Sequence, residues 1–244
     1  MRGVAKMCPS RKFARLWFKH AGKIAQSELE PKSTLQGNNL SLMRFATHAA
    51  VLMMSLGLAA CSGYKSVPSP VVSAHDAEWM ALVPSAQIDL QYLPYEVENQ
   101  TGEAPGTVVV DTPNKFLYYV EPNGKAVRYG VAVGEEAFKW FGIAEVGAKK
   151  EWPGWMPPAD MIERWPHLKP VVDAGGLQGG PDNPLGARAL YLFQDKKDTL
   201  YRIHGTNEPE TIGHSVSSGC IRMRNIDVID LYSRVPLGAR VVVK

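Results

Sequence analysis

Between Ile203 and Tyr232 the chain carries one thiol, Cys220, and two imidazoles, His204 and His214, with Gly205, Gly213 and Gly219 beside them. A thiol attacks a carbonyl only as its thiolate, so it needs a base or a positive field at hand. His204 stands sixteen residues before Cys220, at the end of a predicted strand, and the segment from Asn207 to Gly213 is turn-like. The chain can therefore double back and bring thiol and imidazole together. Gly219 permits a tight turn beside the thiol, and amide N–H groups around that turn would face the oxyanion of a tetrahedral intermediate. Spacing alone also fits a buried core thiol and a strand-end histidine satisfied by backbone. A zinc site made from His204, His214 and Cys220 lacks a fourth ligand and the usual spacing. No metal or organic cofactor is expected, and His214 reads as an exposed loop histidine.

The elements that would position these groups are mostly strands. Thr107 to Asp111 is a short β-branched run, and Phe116 to Val120 comes next. Pro122-Asn123-Gly124 signals a hairpin turn into a third strand, Ala126 to Val133. A further short strand is expected around Gln91–Val97. Ala189 to Phe193 and Tyr201 to His204 read as two more, and Arg240 to Val243 as the last, after a Pro236-Leu237-Gly238 turn. Asn225 is expected to cap a helix whose apolar positions Val228, Leu231, Tyr232 and Val235 fall at i, i+3, i+4 and i+7. Residues 134–187 are dense in Gly, Pro and Trp, and read as a long irregular cleft wall with one short helix near Pro157–Arg164. The tryptophans are expected mainly in the core, with one or two lining the cleft. The fold class is mainly β, with one or two short helices.

Charge and cysteine usage divide the chain. Residues 1–60 hold nine Lys/Arg and only Glu28 and Glu30 as acids. Taking these from the 27 basic and 24 acidic residues of the whole chain leaves 18 and 22, a net charge of −4 from Cys61 onward. The body is weakly acidic, which gives no electrostatic case for nucleic-acid binding. Ala49 to Ala60 is an apolar run too short to span a bilayer but suited to a signal-peptide core. It ends in Leu58-Ala59-Ala60-Cys61. This resembles a bacterial lipobox, which implies lipidation of Cys61 and a membrane anchor; a plain signal peptide cleaved near Ala60 is the alternative. Met43 reads as the true start. Residues 1–60 are thus a leader, and 61–104 a tether and lead-in whose Ser62–His75 stretch is rich in Ser, Pro and small residues. Residues 105–244 form the globular domain. With Cys8 and Cys61 accounted for, Cys220 is the unpaired thiol of an exported domain.

The pattern His204-Gly205-Thr206-Asn207 followed by Ser217-Ser218-Gly219-Cys220-Ile221-Arg222-Met223 resembles the signature of YkuD-type L,D-transpeptidases. The strands VVVDTPNKFLYYV and VRYGVAVG, and the segments KKEWPGWMPP and NPLGARALYL, are similar to that family's domain as well. Ser218 stands where some members carry histidine, and Ala137 where the family has a second glycine. The resemblance implies a YkuD-like β-sandwich and a reaction on peptidoglycan tetrapeptide stems. Cys220 would be the nucleophile and His204 its base, with the backbone carbonyl of Gly205 as third triad member. Arg222, Ser217, Ser218 and Gly219 would lie on the substrate side. The acceptor would be a second stem, giving a 3→3 cross-link, or a lysine of an envelope protein, and carbapenems would acylate the same thiol. The implied location is the periplasmic side of the cell envelope. Ser62 after the anchor cysteine favours the outer membrane. A hydrolase on the same fold and a non-catalytic wall-binding lipoprotein are the rival readings. A papain-like peptidase would need Cys before His, the reverse of the order here.

Overall fold

A computed structural model describes residues 65–134, 141–216 and 220–244. Cys61, Ala137, Ser217, Ser218 and Gly219 lie outside the described residues. In chain order the regular elements are β1 (Lys65–Ser66), α1 (Ala74–Leu82), β2 (Tyr95–Glu98), β3 (Val108–Asp111), β4 (Phe116–Val120), β5 (Lys125–Gly130) and β6 (Ala132–Gly134). There follow β7 (Gly142–Glu151), α2 (Ala159–Arg164), α3 (Lys169–Asp173), β8 (Arg188–Gln194) and β9 (Lys197–His204). Then come β10 (Ser215–Val216), β11 (Ile221–Arg222), α4 (Asn225–Arg234) and β12 (Arg240–Val243).

Among the described residues the strands form one ladder in the order β1-β2-β5-β4-β3-β12-β7-β8-β9-β11-β6-β10. Only Val131 separates β5 from β6, yet β5 pairs with β2 and β4 while β6 pairs with β10 and β11. One run of chain thus joins distant parts of the ladder and curls it over itself as a mainly β, sandwich-like fold. Period-two alternation fills the interior: Val108, Val110, Leu117, Tyr129, Leu190, Ile203 and Ile221 are all fully buried. The β4–β5 hairpin turns where Asn123 (φ 67) and Gly124 (φ 73) take left-handed conformations, which these residue types tolerate best. Helix α4 lays Val228, Leu231 and Val235 into the same core, as the spacing predicts. Its last carbonyls are satisfied from outside: Lys149 Nζ donates to the oxygens of Tyr232 (2.6 Å) and Val235 (2.7 Å).

Three expectations are corrected. Residues 142–151 are a ten-residue strand, β7, inside the stretch expected to be irregular. Its buried positions are small (Ala144, Val146), and Gly147 lies where a Cβ would strike the Phe193 ring at 2.3 Å. The strand therefore lacks the bulky apolar alternation by which strands are recognised. Residues 65–75 of the stretch expected as a tether belong to the compact unit from Lys65 onward. Ser73 caps α1 by accepting from the Asp76 amide (3.0 Å), and Asp76 is buried against the domain. The expected 91–97 strand begins only at Tyr95, after a single tight helical turn at Leu90–Tyr92.

Candidate active site

Strands β9 and β11 run parallel, with Ile221 opposite Ile203 and Arg222 opposite His204. Alternation sends both isoleucines into the core and leaves His204 and Arg222 on the opposite face. Cys220, half-buried, immediately precedes β11. A diagonal step of two residues between adjacent strands is roughly 8 Å between α-carbons, a gap that two facing side chains reach across. Cys220 and His204 line one cavity of about 640 Å³, together with Arg222, Asn207 and Glu208. Trp155 and Trp165, from the wall between β7 and β8, close another side.

His204 is 3% exposed, and its Nδ1 lies 2.6 Å from the carbonyl oxygen of Gly205. A carbonyl only accepts, so Nδ1 carries the proton and donates, which leaves Nε2 as the unprotonated, basic nitrogen. Burial and the nearby Arg222 and Arg202 charges push the imidazole down to about 3, against the opposing pull of the Gly205 and Pro184 carbonyls. Burial pushes the Cys220 thiol up, although a backbone hydrogen bond at Arg202 and the Arg202 and Arg222 charges act the other way. Both shifts favour the uncharged forms. Together they favour a neutral thiol and a neutral imidazole at rest over a thiolate–imidazolium ion pair. One consequence is measurable. Alkylation of Cys220 by iodoacetamide should accelerate about tenfold per pH unit from neutral to alkaline pH, because the thiolate fraction is still rising. A plateau from acid through neutral pH would show an ion pair instead.

The chain matches the family model described as YkuD: L,D-transpeptidase catalytic domain over residues 105–243. It is 35% identical over 137 residues to a Fuscovulum blasticum open reading frame in the ATP synthase region, provisionally named an L,D-transpeptidase, covering 55% of this chain and 67% of that one. It is 36% identical over 139 residues to "Probable L,D-transpeptidase ErfK/SrfK" of Escherichia coli, covering 55% of this chain and 42% of that one. A solved Brucella melitensis chain, titled a probable carnitine operon oxidoreductase, is 52% identical, with 64% and 96% of the two chains covered and a TM-score of 0.45. At that score the structural likeness decides nothing. This chain belongs to the L,D-transpeptidase catalytic domain family. It spans about two-thirds of the Fuscovulum relative's length and about two-fifths of the Escherichia coli relative's.

Within this L,D-transpeptidase domain, Cys220, His204 and Arg222 line one cavity, and the Gly205 carbonyl lies against His204 Nδ1. Arg222 Nη1 donates to Glu208 Oε2 at 2.6 Å. His214 is exposed, and its main contribution is the carbonyl that accepts from the Val133 amide (3.2 Å). Trp152 is buried in a small cluster with Trp79 packed against it, whereas Trp155 and Trp165 reach the cavity: two line the cleft as expected, but among the described residues the core does not hold most of the tryptophans.

Asn225 was expected to cap α4 but is its first residue, after Arg224, and its side chain does other work. Its Oδ1 accepts from the amides of Ala187 (2.9 Å) and Thr206 (3.1 Å), and its Nδ2 donates to the Thr206 carbonyl (3.0 Å). It staples the chain after His204 to the segment leading into β8, where the Gly205 amide also donates to the Arg188 carbonyl (2.9 Å). This explains the glycine after the histidine: a Cβ at Gly205 would meet Asn225 Oδ1 at 2.2 Å. Gly205→Ala should therefore cut the rate of Cys220 acylation at least about tenfold by shifting the His204 ring off line. Stopped-flow or mass-resolved acylation kinetics would check it. Asn225→Ala should cost about 1–3 kcal/mol, read by denaturant unfolding, because it strands buried backbone groups.

Proposed function

We propose that this chain transfers acyl groups from peptidoglycan stem peptides through a thioester on Cys220. In the first half, Cys220 Sγ attacks the carbonyl at the L-centre of diaminopimelate in a tetrapeptide stem. The thiol proton passes to Nε2 of His204 as the S–C bond forms. His204 then gives that proton to the departing nitrogen, the amide C–N bond breaks, and D-alanine leaves. In the second half an amine attacks the thioester. Its proton returns through His204 to the sulfur, and a new amide is released from the enzyme. No redox partner enters either half, and every proton is accounted for between sulfur, imidazole and amine.

The observation that carries this reading is the orientation of His204. Its Nδ1 lies against the Gly205 carbonyl, which supports a tautomer with Nε2 as the basic nitrogen, and His204 lines the cavity that Cys220 also lines. An uncharged resting pair suits a step in which proton removal and attack proceed together. Arg222 supports recognition of a substrate carboxylate, since a guanidinium two residues beyond the nucleophile sits within reach of it. The described residues place no substrate-side role on Ser217, Ser218 or Gly219; their part in forming an oxyanion site belongs to the same proposal.

Incubating the protein with disaccharide-tetrapeptides and resolving the products by mass tests the reaction. Cross-linked dimers establish transfer, while tripeptides alone would mean that water resolves the thioester and that the chain is a hydrolase. We further infer export to the cell envelope, with Cys61 as a lipidated anchor at the periplasmic face, most consistent with the outer membrane. The supports are the apolar run ending at Ala60 and the Ser62 that follows the cysteine. Metabolic labelling with an alkynyl fatty acid should mark the wild type and not Cys61→Ala; unlabelled wild type would remove the anchor from the proposal.

A further inference from the structure

The cavity holds an internal carboxylate. Among its described lining residues Glu208 is the one acid, while Arg164, Arg222 and His167 supply positive or protonatable groups. Glu208 makes a single hydrogen-bonded contact to Arg222, at 2.6 Å, and the two partners are unequally held: the Arg222 side chain is 14% exposed and the Glu208 side chain 53%. Beneath its side chain the Glu208 backbone is fixed. Its amide donates to Thr206 Oγ1 (3.0 Å), and its carbonyl accepts from the Thr211 amide (3.1 Å) and from Thr211 Oγ1 (2.7 Å). The carboxylate can thus swing off Arg222 into water by side-chain rotation alone, with the His204–Glu208 main chain undisturbed.

We propose that Glu208 occupies, in the free protein, the place on Arg222 that the donor peptide's terminal carboxylate takes on binding, so that Glu208 sets the site's selectivity for free C-terminal acids. The inference rests on the transpeptidase reading above. In such a donor one tetrahedral carbon separates the carboxylate from the scissile nitrogen. The guanidinium that receives it must therefore lie a short step from the attacking sulfur, and Arg222 is two residues from Cys220 on an extended strand, roughly 7 Å along the chain. A carboxylate on a half-exposed side chain is weakly held in such a pair, so a ligand carboxylate that the rest of the cavity also anchors displaces it. A neutral donor end, such as an amide, gives Arg222 no equivalent partner and leaves Glu208 in place. The internal acid thereby screens Arg222 from passing anions and yields only to a ligand that the rest of the cavity also holds.

The test uses the full chain with Cys220→Ala, which stops turnover, and measures calorimetric Kd for a stem tetrapeptide and for the same peptide with a C-terminal amide. Adding Glu208→Gln should tighten the acid by about two- to fivefold, the worth of an exposed ion pair, and leave the amide's Kd in place. Glu208→Ala, which removes the residual acceptor that glutamine keeps, should tighten the acid at least as much. Melting curves establish that each variant is folded. If the acid-to-amide preference stays put or falls in both variants while the wild type still makes product from the tetrapeptide, displacement is overturned and the transpeptidase reading stands. If the protein neither binds the two peptides nor forms product, both fall together.

Discussion

Cys220→Ala is expected to lose covalent acylation completely and to reduce product formation from tetrapeptide stems by at least about a thousandfold. The loss is chemical, since alanine at a half-buried position removes one sulfur atom and leaves strand β11, with Ile221 in the core, where it was. Stability should change by no more than about 1 kcal/mol. Intact mass after carbapenem treatment reads the result directly: the wild type gains the inhibitor's mass and Cys220→Ala does not. An unmodified wild type would sink the assignment of Cys220 as nucleophile. His204→Ala makes the complementary case. It retains the thiol, so iodoacetamide should still label it at alkaline pH, but it lacks the group that removes the proton at neutral pH. Acylation in that variant should be slow near pH 7 and recover partially as the pH rises. A variant equally slow at all pH values would mean that His204 acts by packing rather than as a base.

The second large effect falls on stability. Asp76 and Arg188 are 4% and 6% exposed and meet through two hydrogen bonds of 2.8 Å each. Trp152 Nε1 (2.9 Å) and Ser73 Oγ (2.8 Å) complete the carboxylate's partners. Burial raises the Asp76 pKa, but the hydrogen bonds from Arg188, Ser73 and Trp152 more than offset it and hold the carboxyl well below the usual carboxylate range. Asp76→Ala leaves Arg188 buried with its main counter-charge gone. The expected cost is about 3–5 kcal/mol, or roughly 10 °C in melting temperature for a domain of this size. The sign of the pH effect follows from the depressed pKa. The pair's contribution is fully present above the unfolded-state pKa and is lost as pH falls through the folded one. The wild type's stability should therefore decline in acid more steeply than that of Asp76→Ala. A melting temperature within a degree or two of wild type would show that α1 is incidental to the fold. Because Asp76 precedes the 105–243 span of the family match and Arg188 lies inside it, a chain cut to begin at residue 105 should show the same instability.

Elements with strong local signals were legible in the sequence. Strand β4 occupies Phe116–Val120 and β12 occupies Arg240–Val243, as their β-branched and aromatic runs predict. The apolar spacing of α4 correctly places Val228, Leu231 and Val235 in the core. What escaped reading depends on partners far away in the chain. Asp76 looks like an ordinary acidic residue near a Ser/Pro-rich stretch until Arg188, 112 residues later, comes to rest on it. Asn225 before a helical pattern reads as a cap, and only the fold shows that its amide serves Thr206 and Ala187 instead. Strand β7 was hidden because its buried positions are only Ala144 and Val146, and Gly147 on its outer face leaves room for the Phe193 ring rather than adding bulk. The thiol and imidazole were named from their motif, but the forms they favour could not be, since burial acts on both while Arg202 and Arg222 reinforce it at His204 and oppose it at Cys220.

The hydrogen bond from His204 to the Gly205 carbonyl has a genetic side. An orienting aspartate is encoded by one codon, and a single base change can delete it. A main-chain carbonyl is present whatever residue stands at position 205, so no substitution removes the acceptor itself. On the proposed mechanism the acid–base machinery offers two addressable side chains, Cys220 and His204, and the third participant fails only when the segment stapled by Asn225 is forced to move. Variants that escape a thiol-acylating drug while keeping transfer activity should then arise in the walls of the cavity rather than at its reacting centre.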